Sequence, residues 1–199
     1  MSRAQHLPAM APADHVPHPL HHEQRSWPES NCYVDLWIEV LHALGLDPYA
    51  CLPFTLGLDF EGDQWTFGKP AHAELYDLYG IDVQELSLWR SLDQQVAEQV
   101  GRGRLVLPEV DSFFLPDTRG TDYQTQHGKT TIAIAEIDVA GQQLGYFHNG
   151  GYYQLAGADF AGLLRVGAAP PGALPPHVEF AKLDRLQRRP PRELVALAV

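Results

Sequence analysis

Cysteine is scarce in this chain, which holds only Cys32 and Cys51. Two thiols do not make a disulfide framework, and they are too few for a zinc site built from cysteine alone. Long apolar runs are also missing. The longest candidates, near 36–44 and 130–137, are interrupted by Glu39, His42 and Glu136. Neither approaches the ~20 residues that span a bilayer, which argues against a membrane protein. Positive charge is in short supply too: 14 Lys and Arg stand against 25 Asp and Glu, for a net charge of −11. A nucleic-acid binder needs a basic face. The one basic cluster here, Lys182, Arg185, Arg188, Arg189 and Arg192, is diluted by Glu179, Asp184 and Glu193. No apolar stretch follows Arg3, and prolines cut the first twenty residues, so the start does not read as a signal peptide. The expected location is the cytoplasm. No G-x-G-x-x-G, glycine-rich P-loop, G-x-S-x-G or H-E-x-x-H pattern is present, and no cofactor is implied.

What is present suits one domain. The chain has 199 residues, 45% of them hydrophobic, enough for a core of ordinary size. Residues 1–17, rich in Pro and His, are expected to be a disordered leader. Residues 18–165 are expected to form a single α+β domain, with an N-terminal helix packed on a mainly antiparallel sheet. Between 32 and 44 the apolar residues Tyr33, Trp37, Val40, Leu41 and Leu44 share one helical face, and Asp35, Glu39 and His42 lie opposite. Ser30 or Asn31 can cap this helix and Gly45 can end it. A hairpin is expected over 50–67, then helices over 70–80 and 91–100 and a strand from 104. A polar loop at 115–126 is long enough to be functional. Strands over 129–139, 142–148 and 152–155 follow, with a short helix from 159. If Ala140-Gly141 is a two-residue turn, Asn149 lies level with Ile132. Residues 166–199 look like a Pro/Arg-rich tail with one helix over 178–187.

Cys32 carries the most chemistry per residue. It falls in the first helical turn, where unpaired N–H groups and the helix dipole favour a thiolate; the bland alternative is a small, half-buried apolar side chain. Cys51 lies in an apolar run and is expected in the core. A thiol enzyme needs a base, and His127 and His148 are the candidates, with Asn149 available to orient an imidazole. Amides near Asn31 and Tyr33 suit an oxyanion, and Asp117 and Lys129 are further candidates for contacting the substrate. Glu109, Asp111, Asp117 and Asp122, with His127, could instead hold a metal ion, although solvated loop carboxylates explain them as well.

Four runs carry a resemblance: ESNCYVDLW (29–37), LPEVDSFFLPD (107–117), HGKTTI (127–132) and YFHN (146–149). Over roughly 18–160 the chain resembles a bacterial family known as domain of unknown function 1839. More distantly, the layout is similar to papain-like acyltransferases of the butirosin type. In those, a Cys at a helix start is followed by His and Asp or Asn on a hairpin. That likeness implies a papain-like architecture and cysteine-dependent acyl transfer to an amine, with an acyl- or aminoacyl-carrier protein as donor. It maps Cys32 to the nucleophile and Asn149 to the orienting amide. Two other readings stand beside it. One is a non-enzymatic binding protein using the 115–126 loop and nearby aromatics. The other is a metal hydrolase using Asp111, Asp117 and His127.

Overall fold

The computed structural model describes residues 7, 10–22, 31–167 and 174–198. Helix α1 spans Cys32–Ala43. Asn31 is its cap, with the side-chain oxygen accepting from the Val34 N–H at 3.2 Å. Gly45, at φ +69°, lets the Leu46 N–H return to the Leu41 carbonyl at 2.9 Å. This is the left-handed helix ending that glycine allows. The expected apolar face of α1 is buried, each large side chain contributing roughly 1.5–3 kcal/mol before chain entropy offsets it.

The remaining elements are α2 (His72–Tyr79), β1 (Asp82–Glu85), α3 (Leu92–Gly101), β2 (Arg104–Asp111), β3 (Lys129–Thr131), β4 (Ala133–Asp138), β5 (Gln143–His148), β6 (Gly151–Ala156), α4 (Ala158–Leu163), β7 (Val178–Lys182) and α5 (Pro191–Ala198). The strands form one antiparallel sheet in the order β1-β7-β2-β4-β5-β6, with β3 also paired to β2. Side chains alternate between its faces. Leu105, Leu107, Ala133, Phe147 and Ala181 meet α1, α2 and α5 on one face. Val106, Val110, Ile134, Tyr146 and Val178 meet α3 and α4 on the other. The fold is therefore α+β with an antiparallel sheet, and helices cover both faces. Among the described residues no helix is long and apolar enough to cross a membrane.

The structure departs from the sequence expectations in four places. Residues 48–57 form two 3-10 turns, Pro48–Cys51 and Pro53–Gly57, because each proline suits the first position of a helical turn and cannot donate to a strand ladder. Only the Phe60–Trp65 bridge remains of the expected hairpin. Residues 178–182 are a central strand between β1 and β2, not a helix in a tail, and the tail's helix lies at α5 instead. A bulge between Ile134 and Glu136 shifts the β4–β5 register by one, so Ala133 pairs with Phe147 and His148, rather than Asn149, falls level with Ile132. Finally, residues 15–21, at the end of the expected leader and its junction, lie across α1 as a strap, and the Met10 N–H reaches Glu136 of β4. The Pro-rich stretch near 169–172 and the alternative cap Ser30 lie outside the described residues.

Candidate functional site

Cys32 is the first residue of α1 and is half-buried. The first amides of a helix have no intrahelical acceptor and carry its positive dipole end, so the chain at Asn31–Tyr33 presents N–H groups to whatever sits there. The next side chain, Tyr33, donates its hydroxyl to Glu179 Oε2 at 2.6 Å and lies 3.3 Å from His72 Nε2. Glu179 comes from β7. Its Oε1 has His72 Nε2 at 3.2 Å, His177 Nε2 at 3.4 Å and Lys69 Nζ at 3.5 Å. The Lys69 ammonium also stands 4.5 Å above the Tyr33 ring. Burial alone would raise the Glu179 carboxyl, but the Tyr33 hydroxyl and the charges of Lys69 and His72 hold it below the usual range. Burial, with Glu179 adding to it, pushes the Tyr33 phenol well above its own. A buried carboxylate thus orients two partly open imidazoles next to the start of α1. A carboxylate–imidazole pair of this kind can hold a ring in place for proton transfer.

An apolar cleft adjoins this cluster. Asn31 Nδ2 donates to the Gly68 carbonyl at 2.5 Å, and both residues line a cavity of about 880 Å³. Val34 and Ile38 of α1 form one wall, Leu52, Phe54 and Leu58 another, and Trp65 and Phe67 a third. Leu20 and His21 of the strap complete it.

The strap is fixed by Glu39, which is fully buried although it belongs to the expected polar face of α1. Glu39 receives His15 Nε2 at 2.7 Å, the His18 N–H at 3.0 Å and His21 Nδ1 at 2.5 Å. His21 Nε2 reaches Asp35 Oδ1 at 3.3 Å. Burial would lower the His21 pKa, but its bonds to Asp35 and Glu39 prevail and push it up to about 9. Burial would likewise raise Glu39, which the bonds from His15, His21 and the His18 amide bring down to about 2. A Cβ on Gly150 would stand 2.9 Å from the His21 Cβ, so the strap also needs glycine at the β5–β6 turn.

The other residues singled out in the sequence lie elsewhere. His148 points to the Tyr146 face of the sheet, opposite the face on which α1 packs. Its Nδ1 meets Asp117 Oδ2 at 2.6 Å and its Nε2 meets Thr130 Oγ1 at 2.8 Å. The Tyr146 hydroxyl donates to the second Asp117 oxygen at 2.5 Å, and burial with Asp117 pushes that phenol far above its usual range. The His148 side chain is only 2% exposed. His127, in contrast, is 71% exposed; it pairs with Asp111 at 2.6 Å and stacks on Phe113. Lys129 pairs with Glu109 at 2.9 Å on the surface. Asn149 occupies a left-handed turn position, φ +46°, which asparagine tolerates better than most residues. Among the described residues, neither His127 nor His148 hydrogen-bonds to Cys32. Cys51 is buried, its thiol donates to the Pro48 carbonyl at 3.2 Å, and burial pushes its pKa up to about 12.

A family model matches residues 16–183. The chain belongs to the DUF1839 N-terminal domain family. No curated protein matches it. The match covers every cluster described above apart from His15 of the strap. Within this DUF1839 domain, three of the four runs that carry the resemblance each send a residue, Asp117, Thr130 and His148, to one buried hydrogen-bonded relay. Among the described residues no group of three or more His, Cys, Asp or Glu is arranged to hold a metal ion. Asp111 pairs with His127 while Asp117 turns to His148, so the three residues of a metal-hydrolase reading are divided. Sequence reasoning missed His72, His177 and Glu179. The available signal was the period of two over 177–183, where His177, Glu179, Ala181 and Leu183 fall on one face.

Proposed function

We propose that this domain is a thiol acyltransferase with Cys32 as nucleophile and His72, oriented by Glu179, as the proton acceptor. The observation that carries the reading is the run Asn31-Cys32-Tyr33 at the start of α1, whose Tyr33 hydroxyl ties that turn to both His72 and Glu179. The plan keeps the papain-like outline, with a thiol at a helix start and an imidazole held by a second polar residue. It departs from the expected assignment of His127 or His148 as base with Asn149 as orienter. Both ring nitrogens of His148 are already engaged on the far face of the sheet, and His127 stands with Asp111 at the surface.

In this reaction Cys32 sulfur attacks the carbonyl carbon of a thioester, and its proton passes to His72. The amides of Cys32 and Tyr33 stabilise the oxyanion. Collapse expels the donor thiolate, which takes the proton from His72. An amine then attacks the acyl-Cys32 carbonyl and loses its proton through His72, and the amide leaves as Cys32 is regenerated. A carrier protein bearing the acyl group is the proposed donor.

The test is intact-mass detection of an acyl adduct with butyryl-N-acetylcysteamine. The adduct is expected on the native protein and on Cys51→Ser, and not on Cys32→Ser. His72→Ala should slow it roughly 100-fold. Failure of the native protein to form an adduct with short, long or aromatic acyl thioesters would sink the reading. A second reading is non-enzymatic ligand binding. It is favoured by the exposed Trp65 and Phe67 at the cleft more than by the 115–126 loop, whose polar groups are spent on Ser112–Asp122, Asp117–His148 and Thr118 bonds.

A further inference from the structure

We propose that the cleft between α1 and the 52–68 segment is an acyl-chain site, taking the apolar tail of a medium-length aliphatic or arylalkyl acyl group. This deepens the thiol reading, on which it rests for the direction in which the ligand lies. Three observations carry it. The cavity, about 880 Å³, falls in the size range of small-molecule sites. Its walls are apolar on three sides, with Val34, Ile38, Leu52, Phe54, Leu58 and Trp65 facing it. Two of its polar residues, the cap Asn31 and Asp35, stand at the start of α1, the turn that carries Cys32; the others are His21, Thr55, Gln64 and Thr66.

An acyl group has the matching asymmetry, with one polar carbonyl end and an apolar remainder. With the carbonyl at the Cys32 and Tyr33 amides, the tail runs along Val34 and Ile38, one turn apart on α1. Among the described residues, no cationic side chain other than His21 lines the cavity, and His21 is already paired with Asp35 and Glu39. Away from the helix start, the cleft therefore favours an uncharged tail over one that carries a phosphate or other anion. Trp65 and Phe67, 67% and 73% exposed, lie at the cleft in positions that a bound chain would cover.

The test uses the whole chain and a ligand that needs no thiol chemistry. Decanoate is titrated against the Cys32→Ser protein, with tryptophan fluorescence as readout and acetate as control. Saturable decanoate binding is expected, at least tenfold tighter than acetate. Val34→Asp, an acidic residue in a helical first turn where it is well tolerated, should weaken decanoate at least tenfold. Phe67→Ala, at an exposed position, should weaken it without any folding cost. Absence of saturable decanoate binding, or binding that neither substitution changes, overturns the site. Binding with these effects, in a protein whose native form makes no acyl adduct, keeps the chain site and removes the thiol reading.

Discussion

Glu39→Gln puts the strap to the test. Glutamine has nearly the same shape as glutamate but cannot carry the charge that His21 faces. The rise of the His21 pKa from 6.5 to about 9 corresponds to roughly 3 kcal/mol of pairing, at about 1.4 kcal/mol for each pH unit, shared between Asp35 and Glu39; the rest of the cost of Glu39→Gln comes from its bonds to His15 and the His18 amide. The fall of Glu39 to about 2 reports much of the same pairing seen from the other partner, so the two figures do not add. His21 binds its proton more tightly in the folded protein. Its contribution is therefore complete below pH 6.5 and is lost as the pH rises through about 9. Glu39 binds its proton less tightly when folded, so its contribution is complete above pH 4.5 and is lost as the pH falls through about 2. The latch is strongest where both conditions hold, from about pH 4.5 to 6.5. At pH 6 Glu39→Gln should cost roughly 3 kcal/mol and lower Tm by about 6–12 °C for a domain of this size. The gap between variant and native protein should narrow as the pH rises past about 9. Calorimetry across that range, with an NMR titration of His21, checks both points. A Tm change below about 2 °C at pH 6, or a His21 that titrates near 6.5 in the native protein, would refute the reasoning.

Other outcomes follow from the same geometry. His148→Ala should destabilise the protein by about 2–4 kcal/mol, because it takes away the partner of one oxygen of the buried Asp117 carboxylate and of the Thr130 hydroxyl. His127→Ala, at the surface, should stay within about 0.5 kcal/mol by urea denaturation; equal effects of the two would contradict the assigned burial. Tyr33→Phe removes the donor at 2.6 Å from Glu179 and should cost about 1–2 kcal/mol at pH 7. Since Glu179 is held below its ordinary 4.5, that cost should shrink as the pH falls through and below 4.5, a trend that pH-dependent melting would show or refute. Phe147→Ala, emptying a fully buried position under α1, should cost about 3–5 kcal/mol, and a loss under 1 kcal/mol would mean the cores are assigned to the wrong faces.

Local order was legible where one signal dominated. The period of the apolar residues, with Asn31 before and Gly45 after, gives α1 its bounds to within a residue, because capping and amphipathicity are local properties of the chain. The β-rich runs over 129–156 were legible for the same reason. Where local signals competed, the pattern misled. The 50–60 run looked like a strand by composition, but Pro48 before it and Pro53 within it turn most of it into 3-10 helix. The 178–187 run looked like a charged helix because Glu179 and Lys182 mask the two-residue period over 177–183, and pairing with β1 and β2 on both sides makes 178–182 a strand.

The candidate site divides along the same line. Sequence alone determined that Cys32 begins a helix and that Cys51 is a core residue, since both follow from neighbours within one turn. It also named Asp117 and His148, but not that they bond to each other, because 31 residues separate them and a single β4 bulge sets the level of His148. Tertiary structure decided which face of the sheet each histidine uses. Alternation sends Phe147 toward α1 and His148 away from it, and no sequence pattern states which face α1 will cover. Only the folded chain brings His72 and Glu179 to Tyr33, across 39 residues in one case and 146 in the other. Such contacts are set by strand order and packing, which the chain satisfies collectively and which no local stretch encodes.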